Sequence, residues 1–283
     1  MSKFKGKFGV MQGRLSPSKD NLIQHYPAET WEQEFQYCAE LNLKCIEWIF
    51  EFPNYNMNAL FHDKGINRIK GLSKKYDVEV NSVVADYFMV NKIFKEKQSD
   101  IDKNIQVFKN LISQCKLAQI PIIEVPFVDS SSIKNDKDKQ EVVKNLSPLI
   151  DIASDSNIKI SLETDLDPKH FKKFINSFEN KNIFINYDMG NSASLGYDPI
   201  EEINEYGEYI INVHIKDRVI GGTTVPLGTG DTEFKRVFGA LKSINYSNDF
   251  IFQSARQDIH TDSPKDYIEV MKEYIKFIEN YLS

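Results

Sequence analysis

Three apolar runs of the sequence carry, at or near their ends, a side chain able to bind a cation: "IKISLE" closes on Glu163, "IFINYD" on Asp188, and "INVHI" holds His214 as its penultimate residue. Two carboxylates and an imidazole suit Mn²⁺, Mg²⁺, Co²⁺, Fe²⁺ or Zn²⁺ and leave coordination positions open for substrate oxygens. Taken singly, each reads better as a helix cap or as the partner of a nearby lysine or arginine. At the ends of successive runs, the three together point to one ion. The other apolar runs are as polar at their ends. Gln12 and Arg14 follow "FGVM", Glu47 lies in "CIEWIF", Asp86 follows "VEVNSVVA" and Glu124 lies in "PIIEVPF". Lys216, Asp217 and Arg218 follow His214, while Gln253 ends "DFIFQ" and Arg256 lies just beyond it. A buried carboxylate without compensation is costly, so several that converge imply a cation, basic partners or a polar ligand.

These side chains meet only if the runs that carry them are neighbours. The runs read as strands over 8–11, 45–50, 78–85, 121–127, 158–163, 183–188, 211–215 and 249–253. Between them lie helical patterns at 30–41, 65–76, 100–118, 136–156, 168–179, 199–209, 232–243 and 264–281. Thr30 ahead of Glu32 and Gln33, Pro199 ahead of Glu201 and Glu202, and Ser263 before Pro264 mark helix starts. Eight βα units in order predict an α/β fold, a single (β/α)8 TIM barrel domain over residues 1–283, whose active face is built from the carboxyl ends of the strands. An open doubly wound sheet is the competing arrangement, since strand order is not written in one sequence; no GxGxxG follows the first strand.

The chain has 283 residues, 41% hydrophobic and 27% charged, the composition of a globular domain with a sizeable core. A net charge of −6 disfavours nucleic acid and anionic membranes as partners. Cys38, Cys45 and Cys115 have no CxxC spacing and read as buried thiols of a reducing compartment. With no apolar leader at the start and no stretch of 18 apolar residues, the expected location is the cytoplasm.

"GVMQGRLSP", "CIEWIF", "SLETD", "YDMGNSASLGYDP", "VHIKD" and "FIFQSAR", in that order, resemble the xylose isomerase-like TIM-barrel superfamily of sugar and sugar-phosphate isomerases and epimerases. The resemblance spans nearly the whole chain. It implies a divalent metal held by Glu163, Asp188, His214 and, at a fourth place where relatives have glutamate, Gln253. A second departure is Asn191, where many relatives have a histidine that meets a substrate oxygen. In such enzymes the ion polarises a carbonyl and the adjacent hydroxyl, and glutamates move the α-proton.

Gln253 lacks a basic carboxylate, which leaves three readings. One is an aldose-ketose isomerase with Glu163 as the proton shuttle and Gln253 orienting substrate or metal. Another is an epimerase whose second acid or base is Glu124 or Asp86. The last is a carbohydrate-binding barrel without proton-transfer chemistry. Arg14, Lys216, Arg218 and Arg256 suit the anion of a phosphorylated or carboxylated sugar, with Arg14 and Arg256 as the first choices for contact. Glu47, Asp86 and Asn191 complete the expected substrate contacts, and Trp31, Trp48, Tyr87 and Phe88 are candidate walls for a sugar ring. The superfamily also includes metal-dependent apurinic endonucleases, but their multinuclear site needs many histidines and this chain has five. The expected partner is a small sugar or sugar phosphate, and relatives often form homo-oligomers.

Overall fold

Alternate residues of a strand face opposite ways, and in this chain the two sets are chemically distinct. Ile46, Trp48, Val83, Ile123, Val125, Ile160, Leu162, Val213, Ile215, Phe250 and Phe252 belong to the large apolar core shared with the helices. The alternating set holds Met11, Cys45, Ile49, Val84 and Ile251 in a small apolar cluster of its own. With these alternate Glu47, Glu124, Glu163, Asp188 and His214, so every acid singled out within a strand shares the inward face. The computed structural model, which describes residues 4–18, 22–53, 55–256 and 266–282, shows why.

The strands are β1 (Phe8–Met11), β2 (Cys45–Ile49), β3 (Glu79–Val84), β4 (Ile122–Phe127), β5 (Lys159–Thr164), β6 (Ile183–Asp188), β7 (Ile210–Ile215) and β8 (Asp249–Phe252). They form a closed parallel barrel in which each pairs with its sequence neighbours and β8 returns to β1. Register is set residue by residue: Met11 lies beside Glu47, Pro126 beside Glu163, and Asp188 beside His214. The doubly wound alternative is thereby removed.

Among the described residues, ten α-helices accompany the strands: α1 (Trp31–Glu40), α2 (Asp63–Tyr76), α3 (Tyr87–Val90), α4 (Gln98–Ala118), α5 (Asp136–Asp155), α6 (Pro168–Ile175), α7 (Met189–Leu195), α8 (Pro199–Tyr206), α9 (Phe234–Ser243) and α10 (Tyr267–Glu279). Eight of them answer to the helical patterns of the sequence. The short α3 and α7 follow β3 and β6 on the active face and are too brief to impose a helical period. Thr30 takes the N-cap position of α1 without capping it; its hydroxyl donates to Ser16 Oγ at 2.9 Å instead. Ahead of Pro199, Asp198 caps α8 through the amides of Ile200 and Glu201. The start expected at Ser263 and Pro264 lies outside the described residues. All three cysteines are buried free thiols, and no described helix is long and apolar enough to cross a membrane.

Candidate metal centre

His214 is fully buried, and its two ring nitrogens face different chemistry. Nε2 points toward acceptors: Glu47 Oε2 lies 2.7 Å away and Glu124 Oε2 3.2 Å. Nδ1 faces the carboxyl ends of β5 and β6, at 3.7 Å from Glu163 Oε2 and 3.8 Å from Asp188 Oδ2. Asn186 Nδ2 donates to Glu163 Oε2 at 3.0 Å and lies 3.1 Å from Nδ1. In the neutral ring the proton belongs on Nε2, where acceptors wait, and the Nδ1 lone pair is left to the carboxylates. This is the arrangement of a metal-ligating histidine held by a carboxylate behind it.

One ligand atom from each of Glu163, Asp188 and His214 lies within 4.8 Å of the other two. Neighbouring ligand atoms around an ion with bonds of about 2.1 Å sit roughly 3 to 3.5 Å apart, so small inward movements suffice for these residues to hold one. Glu47, Glu124 and His214 form a second compact set. There the direct bond between Glu47 and Nε2 occupies the space an ion would need.

Charge supports the first set. Burial works against a charged imidazole, yet the carboxylates of Glu47 and Glu124 outweigh it and hold His214 well above 6.5. Burial, together with the neighbouring Asp188 and Glu124, pushes Glu163 well above the usual carboxyl range. Asp188 resists its burial because the Lys216 ammonium and His214 face it, and it stays below 3.8. Lys216 Nζ donates to Asp188 Oδ2 at 3.0 Å and to Gln253 Oε1 at 3.1 Å, so the amide oxygen of Gln253 is engaged by an ammonium. Its Nε2 donates to Gln24 Oε1 at 3.2 Å.

Above these groups opens a cavity of about 280 Å³, lined in part by Asp86, Glu124, Glu163, Asn191, Lys216, Arg218 and Gln253. The His214 ring is the neighbour that faces the buried Glu124 carboxylate, at 3.2 Å, and burial raises the Glu124 pKa. Asp86, held by the amide of Gln24, is pushed up to about 7, chiefly by burial. Asp188 caps α7 by accepting from the backbone amide of Asn191 at 2.8 Å; the Asn191 side chain donates to Glu163 Oε1, while its own oxygen accepts from Arg218 Nη1 at 2.7 Å. Arg218 belongs to a short hairpin, Asp217–Arg218 against Thr224–Val225, which brings Thr223 and Thr224 to the cavity.

Several expected contacts lie elsewhere. Glu47 is fully enclosed beneath His214 and accepts from Ser82 Oγ at 2.7 Å and Asn212 Nδ2 at 2.8 Å. It supports the imidazole rather than lining the cavity, because its position on β2 places it a layer below the mouth. Arg14 and Arg256 line a different cavity, beside β8 and α10. None of the four aromatic residues lines the mouth. Trp31 and Trp48 stack edge to face at 5.3 Å in the core, and Tyr87 and Phe88 of α3 pack around Phe50. Sequence reasoning passed over Asn186, Asn212 and Gln24. The first two carried a signal: each lies two residues before a ligand candidate, on the same side of its strand. Gln24 sits in a loop with no period to betray it. His170 is on α6 paired with Asp167, His62 precedes α2, and His260 is outside the described residues.

A family model for the xylose isomerase-like TIM barrel matches residues 35–279. An inosose dehydratase of Geobacillus kaustophilus is 30% identical over 114 residues, which cover 34% of this chain and 37% of that protein, so the chain matches well under two thirds of this curated relative's length. Among solved structures, the IOLI protein with a bound zinc atom superposes with a TM-score of 0.76 at 18% identity, covering 98% of this chain and 99% of that one. A D-psicose 3-epimerase crystallised in the presence of D-fructose gives 0.77 at 13% identity, with 98% and 99% covered. At such identities the structural likeness speaks for the fold.

Proposed function

The chain belongs to the xylose isomerase-like TIM barrel family, and on the geometry of its strand ends we propose that it is a divalent-metal-dependent enzyme that removes a proton next to the carbonyl of a small polyhydroxylated ketone. Isomerisation or epimerisation of a sugar or sugar phosphate is the first reading. The observation that carries the proposal is the division of labour within His214: one nitrogen is anchored by Glu47 and the other is turned to Glu163 and Asp188. A divalent ion held by these three residues supplies polarisation of the carbonyl and adjacent hydroxyl oxygens, which acidifies the hydrogen between them.

The protein's own groups supply the proton transfers. Both oxygens of Glu163 already accept from Asn186 and Asn191, which suits a ligand held in one orientation. Glu124, buried at the cavity and not tied down by side-chain amides as Glu163 is, is the base: burial raises its carboxyl above the usual range, the direction that strengthens a general base. Asp86, near 7, stands at the same cavity to return the proton. Gln253 cannot move protons; it holds the Lys216 ammonium beside Asp188. Asn191 and Arg218 orient a substrate oxygen.

Dehydration is a second reading. It begins with the same proton removal but then expels a neighbouring hydroxide, which needs an acid. Lys216, an ammonium at the cavity, favours it, as do the inosose dehydratases among the relatives. We expect the metal-loaded protein, incubated in deuterated water with a panel of ketoses, their phosphates and cyclic polyhydroxy ketones, to exchange one carbon-bound hydrogen in a chelator-sensitive way. Glu124→Gln should lower that exchange by about a hundredfold or more while metal still binds. Exchange without loss of water supports isomerisation or epimerisation, and an ultraviolet-absorbing unsaturated product supports dehydration. If no substrate exchanges, or Glu124→Gln exchanges at the wild-type rate, the assignment fails.

A further inference from the structure

A second cavity, of about 260 Å³, lies between the segment after β1, the segment after β8 and the first half of α10. Arg14, Ser16, Ser254, Arg256, Tyr267 and Tyr274 are among its lining residues, and the described lining contains no carboxylate. Arg14 is only 5% exposed. Its Nε donates to Ser254 O at 2.9 Å and its Nη2 to Gln24 Oε1 at 3.3 Å, but Nη1 is buried and has no partner among the described residues. Ser254, fully buried, likewise has an unpartnered hydroxyl.

A guanidinium inside a protein normally has an anion against it, since burying an uncompensated charge is costly. Here a second guanidinium shares the cavity. Arg256 donates to Ile23 O at 2.9 Å and Ser16 O at 3.3 Å, and its Nη2 lies 3.3 Å from His25 Nδ1. Three acids act on Arg14 from a distance: Asp86, held by Gln24; Glu34, which spends one oxygen on the amides of Gly13 and Leu15; and Glu47, under His214; burial raises both Asp86 and Glu34 to about 7. A side chain at Gly13 would meet Arg256 Nη2 at 2.7 Å and His25 O at 2.8 Å, so glycine is needed where the chain brings these groups together.

We propose that this cavity binds a phosphate group, with Arg14, Arg256 and Ser254 as its donors. One guanidinium fork satisfies a carboxylate in a single plane, whereas two guanidiniums and a hydroxyl from different segments suit the several oxygens of a phosphate. The cavity adjoins the mouth. Gln24 Oε1 accepts both from Arg14 and from Gln253, and Gln253 in turn holds Lys216. The phosphate therefore belongs either to the substrate itself or to a free anion bound beside it.

Calorimetric titration of the full, chelator-treated chain with inorganic phosphate tests the site without turnover or metal, so its outcome is separate from that of the proposed reaction. We expect saturable binding that weakens at least tenfold in Arg14→Gln and in Arg256→Gln but persists in Arg218→Gln, which alters the mouth. Arg14 is deeply buried; should Arg14→Gln lose its cooperative melt, Arg256→Gln and Ser254→Ala decide the matter. A ketose phosphate that displaces inorganic phosphate, where the neutral ketose does not, upholds the site as the place of the substrate's own phosphate. Phosphate that binds undisplaced upholds it as a free-anion site. Absence of saturable binding, affinity unchanged in the arginine variants, or binding lost in Arg218→Gln overturns the proposal.

Discussion

His214 works as a ligand only if its ring is held still and its lone pair is directed. Glu47 does the holding, and with Ser82, Asn212 and the imidazole it forms a buried polar layer below the mouth. In Glu47→Gln the amide nitrogen would face a donor, from either the ring or the Ser82 and Asn212 pair, and the negative charge that fixes the Nε2 proton would be gone. Partners of this kind behind a metal ligand are worth about 10- to 100-fold in affinity. Glu47→Gln should therefore bind Mn²⁺ or Zn²⁺ more weakly by that factor, measured by competition with a chelating dye. An unchanged affinity in a folded variant would show that Glu47 does not set the ring's orientation.

At the scale of elements, the segment from Asp217 to Thr232 forms one rim of the mouth. Asp217 is fully buried and folds this segment around its carboxylate: Oδ2 accepts from the amides of Gly228 at 2.8 Å and Gly230 at 2.9 Å, and Oδ1 from Thr232 at 3.0 Å. Gly230 is required there, because a Cβ would come within 2.4 Å of Asp217 Oδ1. Asp217→Ala would leave three amides without their acceptor, at about 1 to 3 kcal/mol for each that stays buried. The barrel should persist, while the amides of 228, 230 and 232 exchange with solvent faster. The KM should rise about tenfold with less change in kcat, as Arg218 and the threonines lose their support. Wild-type amide protection in Asp217→Ala would refute this role.

At the scale of the whole molecule, the barrel carries a load of buried acids that makes its stability depend on pH. Burial raises Glu34 from 4.5 to about 7, with hydrogen bonds from Ser16, Gly13 and Leu15 opposing the rise only in part. Glu202, beneath the hydroxyls of Tyr187, Tyr206 and Ser192, also reaches about 7. A folded-state pKa above the unfolded value means that the native state binds the proton more tightly. The resulting stabilisation is complete below about 4.5 and is lost as pH rises through 7. For Glu34 the difference corresponds to about 3 kcal/mol. Melting temperatures recorded from pH 4.5 to 8 should fall less steeply for Glu34→Gln than for the wild type. Parallel curves would mean that Glu34 is not the group responsible. A divalent ion held as proposed would add a second dependence, because it would displace the proton on His214 Nδ1 and the one on the Glu163 carboxyl.

The eight strands and the polarity of their ends were legible in the chain because a strand written with period two declares which side chains share a face. Glu163, Asp188 and His214 fell together for that reason, since consecutive parallel strands place equivalent ends side by side. Depth was not legible. Glu47 and Glu124 read alike in the sequence, yet one lies sealed under the imidazole and the other opens on the cavity, and only the barrel's register and stagger separate them. Long polar side chains escaped as well: Gln253 turned to Lys216, and Arg14 and Arg256 gathered around a cavity of their own, because their reach allows several partners and the choice is made by loops that carry no periodic signal. The sequence by itself determined which residues line the barrel; tertiary structure decided which of them meet.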